Sequence, residues 1–170
     1  MAYLRELESA EAAVRASPSG ASPATNFLLA AWRDAEADEA HFVVHRNDHG
    51  LIMLNRYPYS NGHVLIALGD PRPTLMDYLP AQRIELWRLV DHAVGMVERA
   101  FSPQGINVGL NQGRAAGAGV PEHLHAHVLP RWNGDTNFMT VVGSMRVLPE
   151  DLGASAARLR PIFARLNNTR

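Results

Sequence analysis

Glu122-His123-Leu124-His125-Ala126-His127-Val128-Leu129-Pro130-Arg131 is the stretch whose reading decides the fold. Three of the eight histidines stand here at every second position. Successive side chains of a β-strand alternate between its faces, so His123, His125 and His127 would share one face. At ~3.3 Å per residue their Cα atoms would be roughly 6.6 Å apart. Leu124, Ala126 and Val128 would take the other face and enter a core. A helix, with its period of ~3.6, would scatter the same residues around its axis. Pro130 lacks the N–H of a ladder and is expected to end the pairing. Three chemistries fit such an imidazole face: a metal site, a nucleophile tuned by its neighbours, or a bland polar strand surface.

The rest of the composition narrows the field. A chain of 170 residues is one domain by default, long enough for a sizeable core. The formal net charge of -1 gives no electrostatic reason to bind nucleic acid or membrane. No apolar run is long enough to span a bilayer and the N-terminus has no signal-peptide pattern, so a cytoplasmic protein is expected. There is no Cys, which removes thiol nucleophiles, disulfides and thiolate zinc sites. There is no Lys either, because all 16 basic residues are Arg. The Walker lysine and Schiff-base chemistry go with it.

Outward from the histidines, hydrophobic periodicity places the other elements. Residues 3–15 read as an amphipathic helix, 17–23 as a turn-rich linker, and 25–35 as a second short helix with Trp32 in the core. His41–Arg46 and Leu51–Asn55 read as a hairpin, and His63–Leu68 as a central strand, apolar on both faces. His41, His45 and His49 suggest metal spacing on paper, but a strand and a turn would splay His49 away. Pro80 opens a long helix with Ile84, Trp87, Val90, Val94, Val97 and Phe101 on its stripe, widened by Leu86, Leu89, Ala93 and Met96. Ile106, Val108 and Leu110 alternate with Asn107, Gly109 and Asn111 as a fourth strand. Gln112–Pro121 is a glycine-rich loop with Arg114, whose N–H groups would make a phosphate cradle beside the imidazoles. Thr140–Gly143 suggests a short strand and Pro149–Leu166 a C-terminal helix. The order β-β-β-α-β-β-α gives an α+β domain with a largely antiparallel sheet.

These residues resemble the histidine-triad (HIT) nucleotide-binding proteins, whose signature is His-φ-His-φ-His-φ-φ with φ apolar. His123-Leu124-His125-Ala126-His127-Val128-Leu129 satisfies it throughout. Asn55, followed eight residues later by His63 in an Asn61-Gly62-His63 context, matches a second marker. The runs Ile106–Asn111 and Pro130–Phe138 look closest to the bacterial diadenosine polyphosphate phosphorylase and hydrolase branch. The resemblance implies a HIT-like α+β fold: a sheet of about five mostly antiparallel strands, a long helix, a C-terminal helix and a two-fold homodimer. It divides the chain into a helical extension over 1–39, a HIT domain over 40–150, and a helix over 151–170 packed on that domain.

The resemblance also implies roles. His125 would attack the α-phosphorus and carry the nucleotide, with the backbone carbonyl of His123 fixing its tautomer. His127 and Asn111 would contact the α-phosphate oxygens and His63 would complete the phosphate end. Asn55 would hold the ribose, and Met53 and Leu51 would line the base pocket. Gly117, Gly119 and Arg114 of the loop would face the phosphates. The implied partner is a small-molecule nucleotide such as diadenosine tetraphosphate, with phosphate or water as acceptor. No cofactor is obligatory, although a divalent cation could accompany the polyphosphate. Two departures stand out. Where many relatives carry a Cys-x-x-Cys zinc pair, this chain has Asn26-Phe27-Leu28-Leu29, which argues against structural zinc. Where they carry Gln, Ser or Thr shortly before the triad, it has Ala118 and Gly119, so a side-chain donor is missing. That loss leaves two further readings open: a phosphoramidate hydrolase of the same fold, and a nucleotide-binding module with little turnover.

Overall fold

The computed structural model describes residues 26–135. They belong almost wholly to the first of two compact units, Met1–Asn133. The helix expected over 3–15, the linker, the strand at 140–143 and the helix at 149–166 lie outside the described residues. Two α-helices, α1 (Phe27–Arg33) and α2 (Pro80–Phe101), accompany five strands: β1 (Val43–Arg46), β2 (Gly50–Leu54), β3 (Val64–Leu68), β4 (Gly105–Leu110) and β5 (His125–Arg131). The strands form one sheet in the order β1-β2-β3-β5-β4, and every neighbouring pair is antiparallel.

β3 is central, as its unbroken apolar run requires, and all five of its residues are buried. Its even-numbered side chains join Ile52, Leu124, Ala126 and Val128 in a core closed by α2, and its odd-numbered ones join Leu51 and Met53 on the opposite face. Helix α2 starts with Pro80 at a first-turn position, where a missing N–H costs nothing. It ends at Ser102, whose N–H still bonds the Glu98 carbonyl and whose left-handed φ of 44° turns the chain out of the helix. The buried stripe of α2 is Leu86, Leu89, Val90, Ala93 and Val97, spaced at i, i+3, i+4, i+7 and i+11. Each Leu or Val of the stripe removed from water contributes about 1.5–3 kcal/mol. The stripe is rotated from the expected one. Ile84, Trp87 and Phe101 stay exposed, while Leu86, Leu89 and Ala93, expected at its margin, are buried with Val90 and Val97.

On the other face, α1 packs through Leu28 and Ala31. Arg46 on β1 ties its end down, donating to the carbonyls of Ala31 and Trp32 at 2.9 Å each and pairing with Asp38. A cation is favoured at a helix C-terminus, where carbonyls are unpaired. Trp32 is half-buried rather than enclosed in the core, and its indole lies under the Arg46 guanidinium.

Two expectations about the decisive stretch need correction. β5 begins at His125, so His123 lies in the turn before the strand. The N–H groups of His123 and Leu124 go to the carbonyls of Val120 and Arg72 instead of a ladder. Pro130 does not end the pairing, since it stands opposite Ile106 inside the β4–β5 ladder. Arg131 accepts from Gln104 on the β4 side, so the neighbouring Pro130 turns its nitrogen the other way. There the β3 ladder has already stopped at Val128, and no N–H is missed. Among the described residues no helix is long and apolar enough to cross a membrane.

Candidate active site

The register of the sheet assembles the site. Leu65 stands opposite His127 and Ala67 opposite His125, while Met53 and Leu51 flank those two residues on the far side. Met53-Leu65-His127 and Leu51-Ala67-His125 are therefore two rows across one sheet face. With strands ~4.8 Å apart, the apolar positions of β2 lie about 10 Å from the imidazoles. On the other flank Gly109 pairs with His127 and offers no side chain; a Cβ there would meet nothing within 4 Å. The triad is thus bordered on one side by apolar residues that pack with Leu28 and Ala31 of α1. On the other side stands Gly109, which has no side chain to crowd it among the described residues.

The hydrogen bonds fix which ring nitrogens carry protons. Nδ1 of His125 lies 2.8 Å from the His123 carbonyl oxygen, an acceptor only, so it donates. Nε2 of His125 keeps its lone pair and has no protein partner among the described residues. A second chain of bonds begins at Asn55. Its Oδ1 accepts from the Tyr57 N–H, which turns its amide NH₂ toward Nδ1 of His63 at 3.3 Å. The Tyr59 N–H points to the same nitrogen. With two donors facing Nδ1, the His63 proton sits on Nε2 and is donated to Nδ1 of His127 at 3.0 Å. The His127 proton is then on Nε2, which is buried and has no partner among the described residues. A buried, unpaired N–H is costly in isolation, so this donor is held ready for an acceptor that comes from outside the chain.

Burial sets the charge state. Desolvation, with His125 and then His63 adding repulsion, pushes His127 down to about 3. Desolvation followed by His125 pushes His63 down to about 4. His125 is lowered mainly by desolvation, against which its bond to the His123 carbonyl works. All three rings are neutral at pH 7, so the cluster offers one lone pair and one aimed N–H donor. That pairing suits nucleophilic attack on an electrophile bearing a negative oxygen.

The structure brings His125, His127 and His63 together, with Met53 and Leu51 buried on the same face. His123 stands behind them, its ring fully buried and its Nε2 donating to the Leu68 carbonyl at 2.7 Å. Asn55 is engaged with Tyr57 and His63 as described. Asn111 follows directly on the Leu110–Ala126 pair, where one more step of register leads to His125. The glycine loop is less open than its composition suggests. The N–H groups of Ala116, Gly117 and Ala118 bond to carbonyls within the loop, and the Gly119 N–H has no acceptor among the described residues. Arg114 is exposed and makes no ion pair among the described residues. Sequence reasoning missed Tyr59, whose ring stacks on His63 at 5.2 Å, and it missed the link from Asn26 to His123. The glycine before His63 has a steric reason: Gly62 adopts φ 75°, and a Cβ there would stand 2.5 Å from the Phe101 ring.

A structural zinc does not fit the residues present. Such a site needs four nitrogen or sulfur ligands. Asn26 Oδ1 is 3.1 Å from Nδ1 of His123 and already accepts from Leu29, whose own side chain is aliphatic. Among the described residues no three His, Asp or Glu groups converge on a metal position, and that includes His41, His45 and His49.

Comparison with known proteins bears on the same residues. A family model described as the HIT domain matches residues 36–134, more than half of the chain. An AP-4-A phosphorylase of Mycobacterium tuberculosis is 38% identical over 157 residues, covering 92% of this chain and 79% of that protein. An asymmetrical bis(5'-nucleosyl)-tetraphosphatase of Schizosaccharomyces pombe is 32% identical over 93 residues, 55% of this chain and 50% of that one. A solved structure from Streptococcus mutans shares the fold, with a TM-score of 0.66 over 88% of both chains at 18% identity. The chain belongs to the HIT family.

Proposed function

We propose that this protein cleaves dinucleoside polyphosphates at the α-phosphate, with His125 as the nucleophile. The observation that carries the reading is the pairing of the Nε2 lone pair of His125 with the Nε2–H of His127, neither of which has a partner among the described residues. In the first step Nε2 of His125 bonds to the α-phosphorus and the bond to the leaving nucleotide's oxygen breaks. Nδ1 keeps its proton on the His123 carbonyl, which stabilises the positive charge of the substituted ring. The His127 N–H, held by His63 and Asn55, meets charge growing on a phosphate oxygen; one such donor lowers the barrier by about 3–4 kcal/mol. Phosphate or water then attacks phosphorus and the P–N bond breaks, returning His125.

The remaining roles follow from position. Leu51 and Met53 take the base, and Asn55 reaches the ribose with its spare acceptor capacity. Asn111, Gly119 and Arg114 surround the phosphates. The nucleophilic step requires no metal, and a divalent cation travels with the polyphosphate. A small-molecule nucleotide substrate is consistent with the cytoplasmic location expected from the sequence. We also infer a two-fold homodimer joined at β4, an edge strand whose Val108 is 41% exposed.

The test is to mix the protein with diadenosine tetraphosphate with and without inorganic phosphate. ADP plus ATP marks phosphorolysis, and AMP plus ATP marks hydrolysis. His125→Ala should abolish either; wild-type turnover by that variant overturns the assignment. Turnover of adenosine phosphoramidate with no cleavage of dinucleotide would transfer the reading to a phosphoramidate hydrolase. Light scattering checks the dimer, and a monomer unaffected by Val108→Lys would refute it.

A further inference from the structure

The connection between α1 and the triad concerns a residue that has no place in the steps above. Asn26 caps α1: its Oδ1 accepts from the Leu29 N–H at 3.0 Å, which fixes which way the amide is turned. The same oxygen lies 3.1 Å from Nδ1 of His123, across 97 residues of chain. The opposite nitrogen of that ring faces the Leu68 carbonyl at 2.7 Å. His123 is therefore clamped between two oxygen acceptors, with its ring fully buried. Its own backbone carbonyl receives Nδ1–H of His125.

We propose that Asn26 is a positioning residue for the nucleophile: its side-chain oxygen fixes the His123 ring, and His123 in turn holds the carbonyl that sets the tautomer and aim of His125. This rests on the reading of His125 as nucleophile. Both ring contacts of His123 are hydrogen bonds when the ring carries both protons, so Asn26 favours the charged ring. Burial is the largest effect and sets the net direction, lowering the His123 pKa from its ordinary 6.5, with His125 acting the same way. The Leu68 carbonyl, Glu122 and Asp70 work against it, and a neutral ring donates to only one of its two oxygens at a time. A single oxygen serves helix and site together, so the seating of α1 is coupled to the geometry of the triad.

The experiment separates the two duties of Asn26. Ser is as good a helix cap as Asn but is too short to reach His123. Asn26→Ser should leave the melting temperature within a few degrees of wild type while kcat for diadenosine tetraphosphate falls about tenfold and KM stays within about twofold. Asn26→Asp keeps both contacts and should recover most of kcat. The ring ¹⁵N signals of His123 and His125 give a readout independent of turnover: in Asn26→Ser the Nδ1 signal of His123 should move and His125 should lose its single Nδ1–H form. Wild-type kcat together with unchanged ring signals in Asn26→Ser overturns the proposal. If the wild-type protein cleaves no dinucleotide, the functional reading fails, and the ring signals alone still decide the role of Asn26.

Discussion

Nε2 of His63 and Nδ1 of His127 meet at 3.0 Å across the β3–β5 boundary, and this contact decides which nitrogen of His127 faces the site. His63→Phe keeps the ring volume but removes the donated proton. His127 is then free to place its own proton on Nδ1, and the aimed N–H is lost from much of the population. A fall in kcat of about 10²-fold with little change in KM is expected, and His127→Ala should cost about 10²–10³-fold. Steady-state kinetics on both variants checks the order; equal KM rises with unchanged kcat would contradict it.

The buried imidazoles make a pH prediction. Attack needs neutral His125, whose pKa is lowered from the ordinary value of 6.5, so kcat/KM should hold its plateau below that value as pH falls. Stability behaves differently. Between the unfolded value near 6.5 and folded values of about 4 for His63 and about 3 for His127, the unfolded chain binds more protons. Stability is therefore full above pH 6.5 and is lost as pH falls toward 4. Melting temperatures measured from pH 7.5 to 4 should drop, and His63→Phe should drop less steeply.

The absence of a metal requirement in the first step is testable by chelation. Treatment with EDTA should leave formation of a nucleotidyl-His125 adduct intact in single turnover. Turnover with tetraphosphate should slow only as far as the substrate loses its own cation. Abolition of the adduct, with recovery on adding zinc, would refute the reading.

Gly69 follows β3 directly, and a Cβ added there would stand 2.1 Å from the Trp32 indole. The same indole lies under the Arg46 guanidinium, a contact that its displacement would disturb. Gly69→Ala should destabilise the protein by about 1–3 kcal/mol, measured by urea unfolding. A neutral effect would show that α1 shifts freely.

The histidine face was readable because period-two spacing is a local property, and the sheet kept it. Leu124, Ala126 and Val128 went to the core and His125 and His127 to the opposite side, as alternation demands. β3 was readable for the same reason. The rotation of α2 was not, because its apolar residues cover a wider arc than the sheet buries, and periodicity alone does not say which part of that arc faces inward. The place of Pro130 depended on where β3 ends, which the residues around Pro130 do not encode. Asn26 was out of reach for a similar reason: its partner lies 97 residues away, and nothing in Asn26-Phe27-Leu28-Leu29 announces it. The glycine loop misled in part, since composition reports freedom of φ but not whether each N–H turns inward.

β3 and β5 lie side by side, yet α2 and β4 come between them along the chain, and the two rings that meet there are 64 positions apart. Closing so large a loop has an entropic cost that is met before any contact rewards it, so this pairing belongs late in folding. The two imidazoles consequently come together only once the rest of the sheet has closed. Refolding followed by helix signal should run ahead of recovered turnover. A fragment ending before β5 would carry every helix and strand of the first half and still lack a working centre.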